Sequence, residues 1–144
     1  MALQQFPDTQ WSLIRRSGET PSVRDAAFSE LVRRYRGAVL AWFRAQMDSA
    51  DAEDATQGFL VASFERDWWA RADPSQGSFR TFLMVLMRRH LWRLQHGNAT
   101  DAVMVDALDE LADASPDAAR QFDARFVLDL TARAIEDLRT QYAQ

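Results

Sequence analysis

The chain has 144 residues, 47% of them hydrophobic, with 17 basic residues that are all Arg, 21 acidic residues, no Cys and a formal charge of −4. That length suits one ordinary domain, or one small domain with a fragment of another, and the lack of cysteine excludes disulfides and thiolate metal sites. The net acidity argues against a general nucleic-acid binder, and no segment has the apolar run of a signal peptide or a membrane span, so a cytoplasmic protein without membrane contact is expected.

Scarce Gly (5) and Pro (4) beside abundant Leu, Ala, Arg and Asp favour helices, and an all-α chain is expected. Residues 1–21 read as an N-terminal extension. It holds a short helix over 8–17 anchored by Trp11, Leu13 and Ile14, followed by the polar break SGETPS. A long helix is predicted over 23–47, with Ser22 as N-cap and Asp25 in capping-box position. Phe28, Leu31, Val32, Tyr35, Val39, Trp42, Phe43 and Met47 give it a broad apolar stripe at three- and four-residue steps.

After Asp48-Ser49 a second helix is predicted to about residue 68. Ala52, Ala55, Thr56, Phe59, Leu60, Ser63 and Phe64 share one face, and Glu53, Asp54, Gln57 and Val61 lie on the outward arc. The turn-rich ARADPSQGS follows. Ser78 is placed to cap a third helix over 79–95, whose first half, FRTFLMVLM, is apolar on nearly every side and so should be central. HGNAT breaks that helix. Residues 97–121 read as an acidic, Ala-rich linker, and a last helix over 122–142 carries Phe126, Leu130, Ala134 and Leu138 on one face. With nothing evident to cover that stripe, the helix is expected to fold back on the first helices, to self-associate or to fray.

Charge is unevenly spread. Residues 1–96 hold 13 Arg against 11 acids, whereas residues 97–144 hold 4 Arg against 10 acids. Residues 76–96 contain four Arg, two His and no acid, and this is where a phosphate backbone could sit. Enzyme signatures are missing: there is no Gly-rich phosphate loop, HExxH or nucleophile elbow. His90 and His96 are six apart and do not share a helix face, and Asp51 with Asp54 does not complete a divalent-cation shell. No catalysis, cofactor or metal is expected.

Three stretches in order, FSELVRRYRGAVLAWF, SADAEDATQGFLVASFE and GSFRTFLMVLMRRHLWR, resemble region two of bacterial sigma factors, in particular the extracytoplasmic-function group. The second resembles the acidic Asp-Ala-Glu-Asp motif of that family. The third resembles its Gly-x-Phe-Arg-x-Trp-Leu signature, with Phe82 in the Trp position. TQWSLIRRS is similar to the opening of some large sigma subfamilies, and FDARFVLDLTARAIEDLRTQYAQ is similar to the start of region four. On this resemblance 22–96 is a region-two-like bundle of three to four helices, and 122–144 begins a truncated region four.

The resemblance implies a transcription-initiation factor that docks on the β′ clamp helices of core RNA polymerase and recognises and melts the −10 promoter element. Asp51, Glu53, Asp54, Gln57 and Val61 would contact polymerase, with acid-to-Arg pairs steering and orienting the encounter. Arg80, Arg88, Arg89 and Arg93 would hold phosphates, and Trp68, Trp69 and Trp92 are candidate platforms for unpaired bases. Arg89 and Arg93 stand where many family members carry Asn and Asp, which implies a largely electrostatic DNA contact. Region four normally carries a helix-turn-helix for the −35 element; no second recognition helix follows here, so no −35 reading is expected. Control by an anti-sigma factor or a Ser/Thr kinase is a further implication, with Thr56 and Ser63 as candidate phosphorylation sites. The alternative reading is a sigma-like interaction or regulatory module that binds polymerase or a protein partner without directing transcription.

Overall fold

A computed structural model describes residues 20–72, 78–97 and 116–143. The expected N-terminal helix over 8–17 and most of the acidic linker lie outside the described residues. Those described form an all-α structure with no strand among them: α1 (Pro21–Arg44), α2 (Ser49–Glu65), a 3-10 turn (Trp69–Arg71), α3 (Phe79–His96) and α4 (Pro116–Tyr142). No helix among the described residues is long and apolar enough to cross a membrane.

α1 starts before the expected Ser22 cap. Thr20 is the N-cap residue, without a side-chain hydrogen bond, and Pro21 leads the helix. Proline suits that position because its φ is already helical and its missing N–H would have no intrahelical partner. Ser22 therefore falls within the first turn, and the capping box with Asp25 is not built. The buried stripe of Ala27, Leu31, Tyr35, Ala38, Val39, Trp42 and Phe43 follows the expected period. The helix ends at Arg44, short of Met47, where the Gln46 N–H reaches back to the Phe43 carbonyl at 3.0 Å and tightens the last turn.

α2 buries Ala52, Ala55, Thr56, Phe59, Leu60 and Ser63, the face its spacing predicts. It ends three residues before the expected 68. Asp67 adopts φ 52°, the Asp67 N–H donates to Phe64 O at 3.3 Å, and the Trp68 N–H donates to Ser63 O at 3.0 Å. This is a Schellman closure, with Asp in the left-handed position that glycine usually fills. Arg24 of α1 stabilises the closure. Its guanidinium pairs with the Asp67 carboxylate at 2.6 Å, donates to the Phe64 carbonyl and lies 4.2 Å from the Phe64 ring centroid.

α3 is capped as expected, the Ser78 hydroxyl accepting the Thr81 N–H at 3.1 Å, and it stops at Gly97 with φ 68°. Its apolar half is central: Phe79, Leu83, Met84, Leu86 and Met87 are all buried. α4 begins at Pro116, six residues before the expected start, and folds back along α1. Ala118 and Phe122 are buried, and the Phe126 ring stacks on Tyr35 at 5.1 Å. Tyr35 is fully buried at the centre of the aromatic core, also meeting Phe79 at 5.2 Å and Trp69 at 6.1 Å. Gly37 permits the close approach of α4, since a β-carbon there would run into the Asp129 carboxylate.

Candidate functional site

Along the outer arc of α2, Asp51, Asp54, Gln57 and Val61 are all exposed, Val61 at 51%. Asp51 and Asp54 make no ion pair among the described residues, so two carboxylates and one apolar side chain form an open ridge. Glu53 does not join them. It leans toward α1, where Arg36 at 3.2 Å and Arg44 at 3.5 Å share its carboxylate. The expectation that Glu53 belongs to a free acidic surface is corrected on that ground. It ties α2 to α1 across a half-exposed ion cluster.

Beside the ridge, α1 and α2 leave an open groove of about 570 Å³, floored by Phe28, Val32, Leu60 and Phe64 and edged by Asp25 and Glu65. Val61 and Gln57 line it as well, so ridge and groove form one continuous surface. The edge is mixed in charge, since Arg36, paired with Glu53, lines the groove as well.

The basic side is narrower than the sequence suggests. Arg80 is committed to α4, its Nε and guanidinium donating to the Asp123 carboxylate at 2.6 and 2.9 Å. The Arg88 Nε donates to the Met84 carbonyl at 3.3 Å. Arg89 is exposed and Arg93 half-buried, and neither has an ion-pair partner among the described residues.

Two of the three candidate aromatic platforms are core residues. Trp69 is 1% exposed, turned inward by the 3-10 turn against Phe28, Tyr35 and Phe79. Trp92 is 2% exposed and continues the buried stripe of α3, with His96 stacked on it at 4.6 Å. Neither offers a free face to a base. Trp68 is half-buried, packs on Phe59 and has the Arg66 guanidinium 5.7 Å from its ring centroid.

Arg66 is the basic residue that sequence reasoning missed. It follows the end of α2, outside the acid-free run of residues 76–96, yet its charge, like that of Arg93, acts on His90. The His90 ring stands edge-on to Phe59 at 5.7 Å and to Phe43 at 6.1 Å. Burial, and then the charges of Arg93 and Arg66, hold its pKa below the ordinary histidine value. Arg66, Arg89 and Arg93 make no ion pair among the described residues.

Thr56 and Ser63 are sealed, at 0% and 1% exposure. Their hydroxyls donate to the Ala52 and Phe59 carbonyls one turn back, at 2.8 and 2.7 Å. A kinase cannot reach either hydroxyl in this fold, which removes both as phosphorylation sites. Among the described residues no cluster of three His, Cys, Asp or Glu side chains could hold a metal ion. No family model, curated protein or solved structure matches this chain.

Proposed function

We propose that this chain is a sigma-type transcription-initiation factor. It would dock on the β′ clamp helices of core RNA polymerase through α2 and hold the −10 strand of promoter DNA through the end of α2 and the second half of α3. It acts in the cytoplasm, without catalysis or cofactor. The observation that carries the reading is the exposed pair Asp51 and Asp54 beside Val61, on the helix whose sequence resembles the acidic motif of that family. Carboxylates left unpaired at a rim, next to an apolar residue kept in water, suit a surface that meets an Arg-rich partner and is oriented by it.

The test is capture of core RNA polymerase by the full chain, wild type against Asp54→Arg. Because Asp54 is exposed and unpaired among the described residues, the substitution should leave the circular dichroism and melting transition unchanged. It should weaken polymerase binding by about tenfold or more, the scale of a charge reversal at a complementary contact. Equal capture by both chains removes the reading.

The second reading, a sigma-like module that binds polymerase or another protein without directing transcription, is favoured by one observation. Arg80 is held by Asp123, and Trp69 and Trp92 lie in the core, so few groups remain for a strand. A chain that captures polymerase and yet starts no transcript from any promoter would select it. An anti-sigma partner would compete for the same ridge and groove.

A further inference from the structure

α3 meets α2 over a short seam, much thinner than the contacts of α1 with α2 and with α4. His90 lies in that seam. Gly58 of α2 lies against the ring: a β-carbon there would stand 3.6 Å from Nε2, an ordinary contact. Nε2 is sealed from solvent and makes no hydrogen bond of normal geometry among the described residues. The charged groups acting on the ring are Arg93 of its own helix and Arg66 at the end of α2. From α1 it meets the Phe43 ring, and from α2 the Phe59 ring. The backbone of Ala55 is the one neighbour that favours the protonated form. No carboxylate contributes.

We infer that His90 is an acid-sensitive joint: when the ring takes up a proton, the seam between α2 and α3 opens and the two helices lose their fixed relation. A neutral ring suits this site, because its sealed nitrogen and two aromatic neighbours ask nothing of it. A protonated ring brings a third cation beside two guanidiniums in a half-buried seam, a cost that outweighs the one favourable contact, the Ala55 backbone, and that separation of the helices relieves. The thinness of the seam gives a single proton its leverage. The inference rests on the packing and charges around the ring and holds whether or not the chain binds polymerase.

The direction with pH follows from linkage. The folded ring has a depressed pKa, so the unfolded chain binds the proton first. The stability from a neutral His90 is fully present above the unfolded value of about 6.5. It is lost as the pH falls from there through the folded pKa, and no more is lost below it.

The test is amide hydrogen exchange on the full chain at about pH 7.5 and about pH 5.5, either side of the unfolded histidine value, corrected for intrinsic exchange. Protection in 55–66 and 84–96 should fall on acidification, by up to about tenfold, the most one group with an unfolded pKa near 6.5 can supply between these two pH values, while the contact of α1 with α4 keeps its protection. His90→Phe should abolish the fall and His96→Gln should retain it. An equal fall in His90→Phe, or none in the wild type, overturns the inference. If His90→Phe does not fold, the wild-type His90 ring proton is followed by NMR. Seam amides that change in step with its titration support the joint, and a ring that titrates with the seam unchanged overturns it.

Discussion

From Pro116 to Phe126, α4 buries Ala118 and Phe122, stacks Phe126 on Tyr35 and places Asp123 against Arg80. From Val127 to Tyr142 it leaves Leu128 66% exposed, Leu138 51% and Tyr142 84%. The two stretches are alike in their apolar spacing and differ in what stands opposite. α1 presents Tyr35 to the first stretch, and the bare backbone of Gly37 to Arg125 and Asp129 where the two stretches meet. The last link is Arg133, which donates to the Arg34 carbonyl at 3.0 Å, and residues 134–143 are all exposed. Periodicity therefore reports a helix with an apolar face, while burial depends on whether a second surface reaches that face. The distal half rests on its own backbone hydrogen bonds and weak pairs such as Arg139 with Glu136 at 4.0 Å, a marginal state for a short helix.

Phe122→Ala tests the sealed half and should have the largest effect. The ring is 1% exposed within the Tyr35 cluster, so its removal leaves a cavity and should cost about 3–5 kcal/mol in a urea titration. A loss under about 1 kcal/mol, the range of surface changes, would show that the proximal half of α4 does not seal the core.

Asp123→Asn sits one residue away and should matter far less. The pair with Arg80 has bidentate geometry, but its side chains are 35% and 49% exposed, and solvent screens it to about 1 kcal/mol or less. The loss should shrink further in high salt. A salt-independent loss of several kcal/mol would mean that α4 is fastened by this pair more than by Phe122.

Much of the fold was legible because it depends on local chemistry. The α2 core face from Ala52 to Ser63, the Ser78 cap and the centrality of Phe79 to Met87 all follow from helical spacing and capping preference. The ends were less legible. Pro21 moved the start of α1, and a left-handed Asp67 closed α2 where no glycine signalled it. For the candidate site, the outward arc of α2 could be read because a helix projection is enough to place Asp51, Asp54, Gln57 and Val61. The partners of Glu53, Arg80, Trp69 and Trp92 come from other helices, and no projection of one helix contains them. Arg66 escaped for the same reason, its charge acting on His90 only when α2 and α3 lie side by side.

The smallest expected effect is the most informative about the bare half. Leu138 carries an apolar side chain at 51% exposure, in a stretch whose residues 134–143 are all exposed. Replacing it with Ala removes apolar surface already in water and slightly improves helix propensity. Leu138→Ala should therefore change stability by no more than about 0.5 kcal/mol, at low and at high protein concentration alike. A cost of about 2 kcal/mol or more is the signature of a buried leucine. If it were seen at every concentration, some other part of the chain must cover this face; if it grew with concentration, a second copy would be the cover. In either case the contrast between the two halves of α4 would no longer be sealed against bare, but one apolar stripe with two different partners.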